Sequence, residues 1–360
     1  MKCALVASYY GPYYSNFVAS MLAFHDGMTK NGHEVFYVLP REAESFEWLP
    51  LLKKKTKRIY FIEYHGFAWK DICSLRKIFK FENVDLIYSH MCGWDFSAHF
   101  AAPFTPIVWH MRMGVNLKPF AKMVKNWIKF HILGFGKTYH VAVSDAVTGI
   151  INSLHPLHRC LSIPNALETN RLPLSFVTPF KEKPYRLLVF GWQPTTKGLD
   201  TVIDACELMN KHEILIELLV SAQDKTYEYI RKYYQKCPPG WLKLLPPTSD
   251  VASIYSQADM MVSASRSEGF SFCLAEALYC GLPVIYSDIP GTSWAGEFKC
   301  AHIFKTADSV DLCRAINECI RQGFTKKQQE INRELVNRKY TMDVWTRKVI
   351  DFLESIPLNK

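Results

Sequence analysis

The sequence predicts an α/β protein with two domains, each built on a doubly wound parallel sheet. Its 360 residues are more than one hydrophobic core usually serves. Short runs rich in β-branched and aromatic residues alternate with helix-length segments along most of the chain. The first run, Leu5-Val6-Ala7, is apolar throughout, as expected of a strand that is buried on both faces of a sheet.

The first half follows this alternation closely. A strand at residues 4–9 precedes a helix at 15–30, with Ser15 as its N-cap and Gly32 just past its end. Further strands are expected at residues 34–39, 58–64, 85–89, 107–110 and 140–144. The pattern then stops near Pro164, and the proline-containing segment 168–183 is the predicted interdomain linker.

The alternation starts again in the second half, which predicts domains at residues 1–168 and 169–340. Strands are expected at residues 186–190, 214–220, 242–245, 260–263 and 284–287, with a helix at 199–209. The tail, residues 341–356, has the pattern of an amphipathic helix. Two such domains in tandem predict a cleft facing the carboxyl ends of both sheets.

The composition limits the cellular setting and the partners. No Cys-x-x-Cys spacing occurs among the eleven cysteines, which favours free thiols in a reducing cytosol over disulfides or zinc. No signal peptide or membrane span is predicted. The net charge of +9, densest at residues 53–58 and 118–137, indicates an anionic partner: nucleic acid, an anionic membrane or a phosphorylated substrate. No nucleic-acid-binding motif is present, so we expect no nucleic-acid partner.

Four lysines recur at helical spacing within the second basic segment. They are Lys118, Lys122, Lys125 and Lys129. The stripe fits a basic amphipathic helix on a membrane surface and equally fits a helix that packs on the core and shows a solvated side.

The most informative segment is residues 265–285. It follows a predicted strand, turns at Gly269, and continues as a helix over residues 271–280 that Gly281 ends. The start of that helix presents free N–H groups, which suit phosphate or sugar oxygens. Glu268 precedes the helix and Glu276 lies within its first two turns. The alternative is that both are solvated carboxylates stabilised by the helix dipole.

This segment resembles the donor site of the retaining glycosyltransferases of family 4, which have the GT-B fold of two Rossmann-like domains. The resemblance lies in Glu-x7-Glu within Glu-Gly-Phe-Ser…Glu-Ala-Leu…Gly-Leu-Pro-Val. The stretch Gly191-Trp192-Gln193-Pro194-Thr195-Thr196-Lys197-Gly198 is similar to the family's glycine loop. Ala142-Val143-Ser144 and Ser162-Ile163-Pro164-Asn165 resemble its hinge-side stretches.

The resemblance implies a role for each matching residue. Glu276 would bind the ribose hydroxyls, Glu268 the transferred sugar, and Lys197 the departing diphosphate. Donor contacts would also come from Gly191, Trp192, Arg266, Gly269, Phe270, Ser271, Phe272 and Gly11. His110 falls where the family places a contact from the first domain, and the tail, about residues 341–360, would cross back onto that domain.

Several of these positions have a second interpretation. His110 is either functional or a core histidine, Gly11 either a ligand contact or a turn residue, and Arg266 either a phosphate contact or a structural ion pair. Trp192 stands where the family commonly has an arginine, and Ala166 where it has glycine. Arg266 is a candidate to replace the missing arginine.

The resemblance therefore implies a retaining transferase, and it is expected to be metal-independent because no Asp-x-Asp pair is present for a metal clamp. It would move a sugar from a nucleotide-sugar, with UDP preferred, to a saccharide or lipid-linked acceptor in polysaccharide or glycolipid biosynthesis. No cofactor is expected. The expected location is the cytoplasm, with the inner face of the cell membrane as a peripheral site. The alternative is a non-catalytic GT-B partner or sugar-binding subunit.

Overall fold

The computed structural model describes residues 1–91, 93–112, 120–133, 136–155, 157, 159–173, 180, 182–235, 237–248 and 250–358. The chain divides into two compact units. The first comprises Met1–Ala166 together with Met342–Lys360, and the second comprises Leu167–Thr341. Each unit is a parallel sheet with helices packed against it.

In the described part of the first unit, seven strands form one parallel sheet. They are β1 (Lys2–Ala7), β2 (Glu34–Pro40), β3 (Ile59–Ile62), β4 (Leu86–His90), β5 (Ile107–Met111), β6 (Thr138–Ala142) and β7 (Cys160–Ser162). Their order is β3-β2-β1-β4-β5-β6-β7. The helices are α1 (Asn16–Lys30), α2 (Leu49–Lys53), α3 (Trp69–Glu82), α4 (Asp95–Ala101), α5 (Phe120–Trp127) and α6 (Asp145–Leu154). A 3₁₀ turn covers Arg41–Ser45, and Ile128–Ile132 continues α5 as a π-helical turn.

The second unit has six parallel strands within its described residues. They are β8 (Tyr185–Phe190), β9 (Ile216–Ser221), β10 (Leu242–Leu245), β11 (Met260–Ser263), β12 (Val284–Ser287) and β13 (Ala301–Phe304), in the order β10-β9-β8-β11-β12-β13. The helices are α7 (Leu199–Lys211), α8 (Asp224–Tyr234), α9 (Val251–Ser256), α10 (Phe272–Cys280), α11 (Ser309–Gln322) and α12 (Lys326–Tyr340). Short 3₁₀ turns lie at Thr169–Arg171 and Ser293–Glu297.

The two-domain α/β fold with parallel sheets is confirmed, and several elements match their predicted bounds. Strands β10, β11 and β12 coincide with prediction residue for residue. Ser15 caps α1, and its side-chain oxygen accepts a hydrogen bond from the backbone N–H of Val18 at 3.4 Å. Gly32 has φ +74°, a conformation that glycine adopts without strain.

Other boundaries were wrong for identifiable reasons. The strand expected at residues 140–144 is β6, and Ser144 instead caps α6, where its hydroxyl accepts from the Val147 backbone N–H. Sequence patterning missed β7 and β13. Both are short, and their residues are partly buried or exposed apart from Phe304, so neither has the continuous apolar run of a central strand.

The predicted linker, in its described part, is attached to the second unit. The backbone N–H of Phe180 donates to Asp259 Oδ1 at 3.1 Å, and Arg333 Nη2 donates to the carbonyl of Pro173 at 3.4 Å. Leu167 pairs with Thr341 in a parallel bridge. The chain therefore enters and leaves the second unit at adjacent positions. Residues 174–179 and 181 of the linker lie outside the described residues.

The last helix, α13 (Met342–Glu354), packs against α1 of the first unit. A Cβ added to Gly27 would lie 2.4 Å from Thr346 Cγ2 and 2.7 Å from Ile350 Cδ1. Glycine is therefore what permits this close approach of two helices. No helix in the described residues has the length and apolar character needed to cross a membrane.

Of the four lysines predicted to form one stripe, in and around α5, those whose side chains are described differ in their exposure to solvent. The prediction that Lys129 faces solvent is wrong, because its ammonium is buried and forms an ion pair with Asp95. The same ammonium lies 4.6 Å from the centroid of the Trp109 ring. The π-helical hydrogen bonding at Ile128–Ile132 changes the phase of the helix and so changes the face on which Lys129 lies. Lys125 is exposed; Lys118 and the Lys122 side chain lie outside the described residues.

A buried histidine links β6 to its neighbours in the core. His140 contacts the rings of Trp109 and Phe130 at centroid distances of 5.3 and 5.1 Å. Neither of its ring nitrogens has a hydrogen-bond partner among the described residues. Burial, followed by the nearby His155 and Lys129, holds the pKa of His140 well below its usual value.

This burial predicts an acid-sensitive fold. His140 stays neutral in the folded state, whereas in the unfolded chain it gains a proton below a pKa of about 6.5. The unfolded state then binds more protons, so the free energy of unfolding falls as pH falls from about 6.5 to 5, by at most about 1.4 kcal/mol per pH unit for this group. Urea unfolding at several pH values should show a shallower fall for His140→Phe. The exposed-site control His212→Phe should keep the wild-type slope, and equal slopes in all three proteins would contradict the prediction.

Candidate active site

Two loops of the second unit meet at the carboxyl ends of neighbouring strands. Residues 191–198 follow β8 and residues 264–271 follow β11, and these strands are paired in the sheet. The backbone N–H of Arg266 donates to the Thr196 carbonyl at 2.8 Å. Because parallel strands place their carboxyl ends along one edge, loops from different parts of the sequence converge there.

Gly198 sets the distance between these loops. Its φ is +65°, and a Cβ at this position would lie 2.1 Å from the Ala264 carbonyl oxygen. Glycine at this position therefore permits the close approach of the loop that follows β11. Gly191 is similar, because a Cβ there would lie 2.8 Å from Thr226 Cγ2 and from Val220 Cγ1. Both glycines therefore have a packing role.

The central feature of the site is an ion pair between Lys197 and Glu268. Lys197 Nζ donates to Glu268 Oε1, and the Ser265 hydroxyl donates to the same oxygen at 2.8 Å. Ser265 is positioned in turn by Ser287, whose hydroxyl donates to the Ser265 carbonyl at 2.6 Å. A Cβ on Gly291 would lie 2.1 Å from the Glu268 carbonyl oxygen, so glycine is needed beside the carboxylate loop.

The pair keeps the lysine charged. Burial alone would favour the neutral amine, but the charge of Glu268 and its hydrogen bond outweigh burial and raise the pKa of Lys197. Both side chains keep partial access to solvent, with 25% and 13% of their surface exposed. The site therefore offers an ammonium whose charge the pair favours and which an arriving anion can reach.

Glu276 is held separately, on the first turns of α10. It is buried, and the Tyr255 hydroxyl donates to Glu276 Oε2 at 2.6 Å. Burial, with the adjacent carboxylate as the next cause, raises the pKa of Tyr255 well above its usual value, so the phenol remains a donor. The carboxylate of Glu276 thus has a fixed orientation before any ligand arrives.

The start of α10 adds backbone donors. Ser271 is the N-cap and makes no capping hydrogen bond with its side chain, and the first-turn N–H groups of a helix have no acceptor within the helix. A cavity of about 210 Å³, including space open to solvent, is lined by Lys197, Ser265, Ser271 and Cys273 among others.

The aromatic residues of the motif stabilise this loop. Phe270 is buried and stacks on Trp294 with ring centroids 4.8 Å apart, and it also contacts Tyr340. Phe272 meets the edge of the Phe270 ring. Gly269, between Glu268 and this cluster, is buried.

Arg266 and Trp192 are the two residues to compare with the arginine of the family loop. Arg266 pairs with Asp200 at 2.7 Å and donates to the Thr195 carbonyl at 2.6 Å, so of its two interpretations the structure shows the ion pair. Trp192 is 41% exposed and contacts the ring edge of Phe190. Among the described residues that line the cavity, Lys197 is the one with a cationic side chain.

His110 and Gly11 belong to the first unit. His110 is buried at the end of β5, where Tyr88 Oη lies 2.5 Å from its Nδ1, and burial, with Arg112 and His90 as further causes, holds its pKa well below the usual value. Gly11 accepts a hydrogen bond from Trp48 Nε1 at 2.8 Å, and a Cβ there would lie 2.2 Å from Tyr9 Oη.

The structure therefore brings Lys197, Glu268 and the start of α10 together in the second unit. Sequence reasoning missed three residues that support them, namely Tyr255, Ser265 and Gly291. Ser265 stood next to the motif and could have been found from its position before Glu268. Nothing in the sequence marks Tyr255 or Gly291, because their contacts join segments that are 21 and 23 residues apart.

Comparisons with known proteins agree with this architecture. Residues 184–322 match the family model described as Glycosyl transferases group 1. No curated protein has significant sequence similarity to the chain. A glycosyltransferase from Rickettsia africae superposes with a TM-score of 0.75 at 16% identity, covering 99% of this chain and 98% of that one.

Two further structures have the same fold. HepE of Anabaena in complex with UDP-glucose gives a TM-score of 0.76 at 15% identity, covering 99% of this chain and 100% of that one. The lipopolysaccharide outer core galactosyltransferase WaaB gives 0.72 at 15% identity, covering 99% of each chain. The fold is the GT-B fold of two Rossmann-like domains. The second unit carries the match to the group 1 glycosyl transferases.

The packing role of Gly198 gives a direct test. Gly198→Ala should lower the free energy of unfolding by about 1–3 kcal/mol, because the new Cβ meets the Ala264 carbonyl at a left-handed backbone position. Gly240→Ala is the matched control, since a Cβ there meets nothing within 4 Å. Urea denaturation measures both. Equal stability of the two variants would contradict the packing role.

Proposed function

We propose that the protein is a glycosyltransferase that moves a sugar from a nucleotide-sugar to an acceptor. The observation that carries the proposal is the Lys197–Glu268 pair beside the start of α10, inside the segment that matches the group 1 glycosyl transferases. A cation and a row of backbone donors at one edge of a parallel sheet suit a leaving diphosphate.

In this mechanism Lys197 stabilises the negative charge that develops on the leaving phosphate. Binding of the diphosphate shifts the ammonium from Glu268 toward the phosphate, and the free Glu268 oxygen then accepts hydrogen bonds from hydroxyls of the sugar. The backbone N–H groups at the start of α10 add stabilisation that needs no reorganisation. Glu276, oriented by Tyr255, is positioned to accept hydrogen bonds from the ribose hydroxyls.

The finer parts of the proposal rest on resemblance. We propose UDP as the nucleotide, which the complexes of HepE with UDP and UDP-glucose support by analogy. On the resemblance of the motif we also propose retention of anomeric configuration, membership of family 4 and metal independence. The acceptor would be a saccharide or lipid-linked saccharide in polysaccharide or glycolipid synthesis, as the name of WaaB suggests for a protein of this fold.

One observation favours a second candidate, a non-catalytic partner or sugar-binding subunit. Trp192 replaces the arginine common in the family, and Arg266 is already paired with Asp200. The diphosphate would therefore be held with one cationic side chain fewer. Turnover of a nucleotide-sugar is expected of the transferase and not of the non-catalytic candidate.

A binding and turnover experiment tests the donor site. Wild type should be stabilised by UDP in thermal-shift measurements and should slowly hydrolyse the matching UDP-sugar. Glu276→Gln should weaken UDP binding at least tenfold, because a carboxylate that accepts two hydroxyl hydrogen bonds is lost. Lys197→Gln should lower turnover by about 100-fold or more with a smaller effect on UDP affinity.

The control is Glu228→Gln, a change at an exposed glutamate on α8, which should match wild type in both measurements. Nucleotide binding without turnover on any sugar donor would favour the non-catalytic candidate. Binding of no nucleotide by folded wild type would refute the donor site.

We also propose that the first unit associates with an anionic membrane, at the inner face of the cell membrane. Its α4 and the loop before α3 expose a cluster of aromatic rings, in which Phe67 contacts Phe96 and Phe100 at 5.8 and 5.6 Å. Lys125 lies 5.6 Å from the centre of the Phe96 ring. Phe67 is 65% exposed, and the nearby Trp69 is 72% exposed. Aromatic rings beside lysine suit the interface of an anionic bilayer.

Vesicle sedimentation tests this surface. Wild type should bind vesicles with 30 mol% phosphatidylserine, a composition chosen on the order of cytoplasmic leaflets, more tightly than neutral vesicles. The double variant Phe67→Ser/Phe100→Ser should reduce binding about tenfold or more, since two exposed rings no longer enter the interface. Phe81→Ser, at an isolated exposed phenylalanine, is the control. Unchanged binding of the double variant would refute the surface.

A further inference from the structure

An arginine directly after β5 has no acidic partner. Arg112 donates to His90 Nδ1 at 3.3 Å, to Asn165 Oδ1 at 3.0 Å and to Ser20 Oγ at 3.1 Å. All three acceptors are neutral. No carboxylate among the described residues forms an ion pair with Arg112, and the residues outside the described part include no aspartate or glutamate. The guanidinium therefore carries an uncompensated charge.

The environment makes this charge unfavourable without a further ligand. The guanidinium lies over the rings of Phe17 and Trp345, at 4.8 and 5.5 Å from their centroids, and is only partly exposed. Burial lowers the pKa of Arg112 to about 10, although arginine normally stays charged far above that pH. Proteins rarely keep a cation in such a place unless an anion completes it.

The hydrogen-bond donors around Arg112 also exceed the acceptors. Three of its five N–H donors are used by acceptors among the described residues, which leaves two without a described acceptor. His90 accepts from Arg112 at Nδ1, so the neutral ring carries its proton on Nε2. That Nε2 is buried without a partner among the described residues, and the same is true of Trp345 Nε1. Both groups are buried donors without an acceptor among the described residues.

The location is that of a ligand site. His90 ends β4, Arg112 follows β5 directly and Asn165 follows β7, so all three lie at the carboxyl edge of the first unit's sheet. Ligands of open parallel sheets bind at this edge. The last helix contributes through Trp345, which joins the tail of the chain to the same cluster.

We propose that Arg112 is the anchor of an oxyanion site in the first unit, which binds a phosphate or carboxylate group carried by the acceptor substrate. This assignment rests on the proposed function, in which Lys197 and the start of α10 already serve the donor's diphosphate. A second anionic group then belongs to the other substrate. The guanidinium fork binds two oxygens of such a group, and His90 does not need to be charged.

The first experiment measures anion binding by the full chain. Thermal shifts are recorded with inorganic phosphate and with acetate, against sodium chloride at equal ionic strength. Wild type should be stabilised by one of the two anions, and that anion names the class of group. Arg112→Gln should weaken the apparent affinity by about tenfold or more, and Arg112→Lys should have an intermediate effect because it keeps the charge without the fork.

The matched control is Arg159→Gln. Arg159 is also a partly exposed arginine of the first unit that lies over an aromatic ring, 4.9 Å from the centroid of Tyr139, and donates to a neutral carbonyl. Both Arg159→Gln and Lys197→Gln should retain stabilisation by the anion. If Arg112→Gln retains it while Lys197→Gln loses it, the anion binds only at the donor site and the proposal is overturned. Absence of stabilisation by either anion in wild type also overturns it.

A labelling experiment on wild type covers the case in which the Arg112 variants do not fold. Phenylglyoxal modification is followed by peptide mass spectrometry with and without the stabilising anion. The anion should slow modification of Arg112 at least threefold, a change on the order of partial site occupancy, and leave Arg159 unchanged. Equal labelling of Arg112 in both conditions overturns the proposal.

Nucleotide binding separates this inference from the proposed function. UDP affinity of Arg112→Gln should stay within about twofold of wild type, because the donor phosphates lie elsewhere. A tenfold loss would assign Arg112 to the donor and overturn the acceptor site. If wild type binds no nucleotide yet binds the anion through Arg112, the transferase proposal fails while the oxyanion site stands.

Discussion

The contact between the loops after β8 and β11 determines the geometry of the second unit's site. Gly198 lies against the Ala264 carbonyl, and the Arg266 backbone donates to Thr196. Only this close approach brings Lys197 within reach of Glu268. The contact is possible because neighbouring parallel strands end at one edge and because glycine removes the side chain that would separate the loops.

Three cations of this protein show how differently a partly buried charge can be balanced. Lys129 is fully paired with Asp95 inside the core, and nothing about that pair invites a ligand. Lys197 is paired with Glu268 at an accessible place, so an anion can take over the ammonium. Arg112 has neutral acceptors and aromatic rings as its neighbours among the described residues. A ligand site is best sought where the acidic partner of a buried cation can be exchanged for a ligand, or where the cation has no such partner.

The fold was largely predictable because its signals are local. A buried parallel strand is apolar throughout, a helix begins at a capping side chain such as Ser15, and it ends at a glycine such as Gly281 with φ +82°. Weakly patterned edge strands gave no such signal. The motif around Glu268 and Glu276 was visible for the same reason, because a strand, a turn and a helix start lie within a dozen residues of each other.

The sequence by itself determined the class of fold, the order of most elements and the segment that carries the candidate donor site. Tertiary structure alone decided that Arg266 pairs with Asp200, that Tyr255 orients Glu276, that Lys129 lies in the core and that Arg112 lacks an acid. Each of these is a contact between residues far apart in sequence, and local periodicity carries no information about which side chain lies opposite another.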